Sequence, residues 1–454
     1  RLRSVLLCSA SPKLEFEFGR SLPEQAYDQA ELPAKLGGLG LMSAAATCYS
    51  AYLACCCLAL AHMREHNADN LTSPSATADG DTLTIRELRD VHTAWARQGG
   101  RAKDLKLSSL LSDTPSQHKL SEGVHEQRQV AVRDAIDQPW IRARFRSAGG
   151  QWAGHWLSAS PRSWFARPRG AHFRIALRSR LTVPLHELQP LGGADHVACG
   201  GCGGVVDAYG CHYGICKNRG GLWSFRHDTV EAALVRQMRN TSPRGGCNAF
   251  PTRGRGNLFG APALTPGGYK RADVVAYNYY GPGKHLYLDV AVTAEDSATA
   301  LKSGSADTTG AAARAREAVK DTKYKPLAAA RGGTFKPAVI ERGGAFGDSL
   351  VSAIKMLTGD GDRDPLRAED YSFSTRSRST YAAADIGLSM AMADAYMVSL
   401  LAEHDVAGRP LGGSTDSQTP PHPSYAAHAR APRRENDKLA PLWYECAGLV
   451  QACC

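Results

Sequence analysis

The chain has 454 residues, with 54 Lys+Arg against 44 Asp+Glu and a formal net charge of +10. At about 100–200 residues per domain, that length predicts two to four structural units. A 43% hydrophobic content excludes wholesale disorder, and 22% charged residues is ordinary, so the distinctive feature is the excess of base over acid, which leans toward nucleic acid. The sequence starts at Arg1 and opens with no apolar core followed by a small-residue cleavage site, so a fragment or fusion product without a signal peptide is expected. Thirteen cysteines, some adjacent (Cys55, Cys56 and Cys57; Cys453 and Cys454), suit a reducing compartment with one cluster reserved for metal.

In chain order, the first marked feature is the uncharged stretch 36–62. It is long enough to span a bilayer, which takes about 20 residues. Its Gly, Ala, Ser, Thr and Tyr content predicts instead an Ala-rich buried helix from Ser43 to about Arg64, and no membrane partner. A capped helix is expected over 81–98, and loops with short exposed helices over 99–150. Trp152, Trp156, Trp164 and Phe165 then crowd together, and Phe173–Arg178 alternates base with apolar residues in an expected helix. After a Cys/His cluster, a helix is expected at 228–240, strands at 273–277 and 285–293, a helix at 309–325 and further helices over 346–404. Residues 408–435, rich in Pro, Gly, Ser and Arg, read as a disordered tail.

The cluster is Cys199-Gly-Gly-Cys202, nine residues, His212, three residues, Cys216. A Cys-x-x-Cys turn sets two thiolates on one ion, the glycines permit the knuckle, and a second Cys/His pair closes a tetrahedral shell. Thiolate and imidazole donors favour zinc, and four ligands make the site structural. Cys211 adjoins His212 and competes for the same role. The alternative is a group of free cysteines in a glycine-rich loop.

The second constellation is a hairpin turned at Gly281-Pro282-Gly283. In its second strand Leu286, Leu288, Val290 and Val292 share one face, and His285, Tyr287, Asp289 and Ala291 the other. Folding about Gly281 sets Asp273 opposite Asp289, since each lies eight residues away. Opposed carboxylates about 5 Å apart repel unless a divalent cation lies between them. The following helix carries Arg316, Lys320, Lys323 and Tyr324 on one side. A basic face over two metal-binding acids is what phosphodiester cleavage needs. The plainer alternative is a strand-start aspartate beside a solvated basic helix.

The order of these motifs, with Leu32–Leu41 (LPAKLGGLGL), Phe173–Leu181 (FRIALRSRL), Arg226-His227-Asp228 and Lys320-x-x-Lys323-Tyr324, resembles the C-terminal part of a non-LTR retrotransposon polyprotein. The resemblance is loose over 20–60 and firmer over 150–400. It implies a CCHC zinc knuckle (Cys199, Cys202, His212, Cys216) and a restriction-like nuclease of the PD-(D/E)XK fold. It also implies Mg2+ on Asp273 and Asp289, and catalytic roles for Lys320, Lys323 and Tyr324. The basic motif of Arg226 and His227, with Arg174, Arg178, Arg271 and Arg316, is expected to touch nucleic acid. The chain departs from the family pattern at Ala272, where a Pro is usual, at Cys211, where an acid is usual, and in the long spacing to Lys320, which suggests an inserted loop at 294–308. No Tyr-x-Asp-Asp occurs, so no reverse transcriptase site is expected in this chain.

The fold class expected is therefore α+β and multidomain. The segments are a thumb-like helical region (1–70), a variable polar region (71–150), a Trp/Arg-rich linker (151–190), the knuckle (191–230), the nuclease (231–345), a helical segment (346–405) and a tail (406–454). The expected function is Mg-dependent nicking of a DNA target for target-primed reverse transcription in the nucleus, with element RNA and a missing polymerase domain as partners. The alternatives are a catalytically dead nucleic-acid-binding remnant, and an interaction protein that uses zinc only structurally.

Overall fold

The structure, a computed structural model, describes residues 22–66, 83–109, 113–159, 170–190, 196–216, 218, 220–241, 248–251, 272–280, 282–358 and 377–407. It is α+β and divides into two compact units, the second starting at Asp137. That boundary falls inside the stretch the composition presents as one polar region. The expected tail and Arg271 lie outside the described residues.

The first unit is helical: α1 (Glu24–Ala30), α2 (Ala44–His66), α3 (Leu83–Arg97) and α4 (Gln117–Asp134). Its core gathers Leu53, Cys57, Leu88, Trp95, Leu105, Leu120 and Val124. Trp95 is fully buried and donates its indole N–H to the Leu120 carbonyl at 3.0 Å, which satisfies the one polar atom it takes inside. Helix α4 corrects the expectation of loops and short exposed helices. Ser116 caps its start, and Leu120, Val124 and Val132 are buried along one side. The expectation of a buried α2 is also corrected. Ser50, Leu53 and Cys57 turn inward, while Tyr52, Leu58 and Met63 are exposed. Among the described residues, two helices are long and apolar enough to cross a membrane, Ala44–Met63 within α2 and Arg378–Asp405; only the second is mostly buried.

The second unit opens with α5 (Pro139–Ala148) and α6 (Gly170–Arg180), then a two-stranded ladder of β1 (Val197–Ala198) with β2 (Val205–Val206) and the short α7 (Cys211–Ile215). Helix α8 (Gly220–Thr241) starts well before residue 228, so Arg226 and His227 sit on a helix and not ahead of one. A four-stranded sheet follows in the order β3 (Asn248–Pro251), β4 (Val274–Tyr277), β5 (Leu286–Thr293), β6 (Thr334–Glu341). The first two pairings are antiparallel and the last is parallel. The parallel step needs a crossover, which α9 (Ala298–Lys302) and α10 (Ala311–Ala329) provide. The expected insertion at 294–308 contains α9, capped by Ser297 and tied back by Ser305 Oγ–H to the Glu295 carbonyl at 2.7 Å.

Period-two alternation in β5 divides the layers. Leu286, Leu288 and Val290 enter the large core with residues of α8, α11 (Asp348–Thr358) and α12 (Arg378–Asp405). Tyr287 packs with Ala328 of α10, and Ala291 with Ala313 of the same helix. The sheet thus has α8, α11 and α12 on one face and α10 on the other. Buried carboxylates fix two helix starts: Glu341 accepts the Ala313 N–H at 2.9 Å, and Glu317 accepts the Ser349 N–H at 3.0 Å.

Candidate metal centres

The ligand atoms of Cys199, Cys202, His212 and Cys216 lie within 4.8 Å of one another. Cys199 Sγ and Cys216 Sγ are 3.7 Å apart, and Cys202 Sγ and His212 Nε2 3.3 Å. Thiolates bound at about 2.3 Å to one tetrahedral zinc stand about 3.8 Å apart, whereas a disulfide needs about 2.05 Å. The donor set and its spacing therefore fit zinc. The local sequence explains the geometry. Gly203 adopts φ +72°, which closes the Cys-x-x-Cys turn, and its N–H bonds the Cys199 carbonyl at 2.7 Å. The Asp207 carboxylate collects the N–H groups of Tyr209, Cys211 and His212 and so starts α7, which aims His212 at the thiols. The competition from Cys211 is resolved: its Sγ accepts from Arg144 Nη1 at 3.4 Å, outside the four-ligand group.

The second centre forms at the β4–β5 junction. The ladder pairs Val274 with Leu288, Val275 with Tyr287 and Ala276 with Leu286. One further step sets Asp273 beside Asp289, the register expected from folding about residue 281. Both acids are buried. Asp273 Oδ2 accepts the Val290 N–H at 2.8 Å and faces His227 Nε2 at 3.0 Å, while His227 Nδ1 faces Asp228 at 3.0 Å. From the opposite layer, the buried Lys320 of α10 donates to Asp289 Oδ2, and to the Val290 carbonyl at 3.3 Å.

Electrostatics separate the two acids. Burial pushes the Asp273 carboxyl up, but the His227 hydrogen bond and charge outweigh it and hold the group below the ordinary carboxylate range. Burial, then the adjacent Asp273 charge, raise Asp289 despite Lys320. His227 has carboxylates at both ring nitrogens, and against the opposing effect of burial these lift it to about 9. The two buried carboxyls supply oxygen donors of the type a divalent ion takes, each paired here with a basic side chain.

The remaining expected residues divide. Arg316 and Lys323 of α10 are exposed; Tyr324 is half-buried against Phe335, with the Lys323 ammonium 4.9 Å from its ring. Arg174 is exposed on α6. Two nucleic-acid assignments are corrected. Arg178 is buried and spends its guanidinium on the Pro184 carbonyl, with Nε at 2.8 Å. Arg226 is buried and ion-paired to Asp394, which also holds Arg342 at 3.0 Å. Desolvation makes an unpaired buried guanidinium untenable, so these arginines serve the interior.

Glu231 escapes the sequence reading. It is buried one turn after His227, 3.8 Å from its Nδ1, and His227, Asp228 and Glu231 form a ligand-capable group of their own. The i, i+4 spacing of an acid after His227 is the signal that could have found it. No protein-family model matches the chain, and a search of curated proteins finds no match.

Proposed function

We propose that this chain is the nuclease-bearing C-terminal part of a retrotransposon protein: a zinc knuckle followed by a PD-(D/E)XK-like core that nicks DNA with Mg2+. The observation that carries the reading is the meeting of two buried acids from paired strands with a buried lysine from the crossover helix. Zinc would be held by Cys199, Cys202, His212 and Cys216, and Mg2+ by Asp273 and Asp289. A bound Mg2+ supplies Lewis acidity and lowers the pKa of a coordinated water. The chain's own groups do the rest. His227 orients Asp273 through its Nε2, and Lys320 offers an ammonium to charge developing on the scissile phosphate. Arg316 and Lys323, exposed on the same helix as Lys320, bind neighbouring phosphates. The nick would leave a 3′ hydroxyl for a polymerase domain carried elsewhere, acting with element RNA on chromosomal DNA in the nucleus.

A second reading is favoured by one observation: His227 and Lys320 already neutralise the two acids from within. A nucleic-acid-binding remnant without catalysis would look the same. Nicking of supercoiled plasmid separates the two. The proposed enzyme converts it to open circle with Mg2+ and loses at least about 100-fold in rate on Asp289→Ala or Lys320→Ala. Equal, metal-independent conversion by the unaltered chain and both variants would reject the nuclease.

A further inference from the structure

The Cys/His cluster does not stand free of the rest of its unit. Asp405, in the last turn of α12, has a fully buried side chain. Its Oδ1 accepts the N–H of Gly200 at 3.0 Å, between the first two cysteine ligands. Its Oδ2 accepts the hydroxyl of Tyr213 at 3.1 Å, directly after the histidine ligand. His404 Nδ1 lies 2.6 Å from Oδ1. One carboxylate thus holds both halves of the ligand set.

The surroundings are built to this contact. A Cβ on Gly200 would fall 2.5 Å from the His404 ring and 2.9 Å from Asp405 Oδ1, so the close approach requires glycine. Tyr213 is fully buried, and its carbonyl accepts the Trp223 indole N–H at 3.3 Å from α8. A Cβ on Gly214 would meet the Arg342 guanidinium at 2.0 Å, and Arg342 is paired with Asp394 of the same α12.

We infer that Asp405 is a positioning residue for the metal on Cys199, Cys202, His212 and Cys216, so that metal binding latches the last turn of α12 to the ligand loop. The inference rests on the reading of that cluster as a zinc site. Groups behind the ligands fix their geometry, and their loss weakens metal binding about 10–100-fold. By reciprocity, whatever the carboxylate adds to metal affinity the metal adds to the docking of α12.

The test uses the full chain and Co2+ as probe, read through its thiolate charge-transfer absorbance and competed with zinc. Asp405→Asn keeps the size and one acceptor but cannot accept from both donors. It should weaken Co2+ binding about 10–100-fold, and Tyr213→Phe should weaken it less. Glu403→Gln, on the same turn, should leave it unchanged. A purely structural role would lower the melting temperature with and without metal and leave the Co2+ affinity and spectrum alone. Hydrogen exchange on the unaltered chain supplies a measurement that needs no variant: chelation should speed exchange in the last turn of α12. Unchanged affinity in Asp405→Asn, or unchanged exchange on chelation, overturns the latch while leaving the zinc site standing. Absence of the charge-transfer band in the unaltered chain overturns both.

Discussion

Asp273 and Asp289 are chemically the same residue, and their surroundings make them different. One is held below the usual carboxylate range by an imidazolium, the other raised by burial and by its neighbour's charge. The same logic sorts the arginines. Arg226 is buried against Asp394, so Arg226→Ala removes one of that carboxylate's two guanidinium partners and should cost about 1–3 kcal/mol in denaturant unfolding. Arg316 is exposed, so Arg316→Ala should change stability by no more than about 0.5 kcal/mol while weakening DNA binding in a gel-shift titration. The reverse pattern, an unstable Arg316 variant and a stable Arg226 variant with lost DNA affinity, would refute this assignment. Base-rich sequence text does not distinguish the two arginines, because a guanidinium's partner lies far along the chain: 168 residues separate Arg226 from Asp394.

At the scale of elements, what was legible followed from local periodicity. The alternation in β5 sets which residues face the core, and the β4–β5 register brings the two acids together. Helix α4 was not legible, because its buried side uses a few apolar residues within a polar text, and its surface is organised by Arg101, which bridges Asp104, Glu122 and Glu126. The early start of α8 was not legible, because the helix opens on Gly220 and Gly221, poor helix formers, and Glu231 went unread with it. Glu317, capping the start of α11, gives a pH-dependent prediction. Burial lifts its carboxyl to about 7 despite the Ser349 N–H. Below an ordinary value near 4.5 both folded and unfolded forms are protonated. Between 4.5 and 7 the unfolded chain releases the proton first, so stability falls as pH rises. Glu317→Gln should therefore raise the melting temperature at pH 8, by about 1–3 kcal/mol of stability, and have little effect at pH 4. Equal effects at both pH values would contradict the assignment.

At the scale of the whole chain, the count of basic residues overstates those available to nucleic acid, since Arg178, Arg226 and Arg342 are committed inside. Binding through the remaining basic surface should still depend on salt, with DNA affinity falling at least about tenfold between 50 and 200 mM. A flat salt profile in fluorescence anisotropy would favour an interaction protein over a nucleic-acid binder. The second unit carries both candidate centres, the Cys/His cluster and the Asp273–Asp289 pair. The proposed nuclease requires that Asp273 and Asp289 share one divalent cation. Electron paramagnetic resonance of Mn2+ titrated into the zinc-loaded full chain tests it directly. One bound Mn2+ is expected, abolished by Asp289→Ala and weakened at least about tenfold by Asp273→Asn; identical Mn2+ binding by the unaltered chain and both variants would contradict a shared cation.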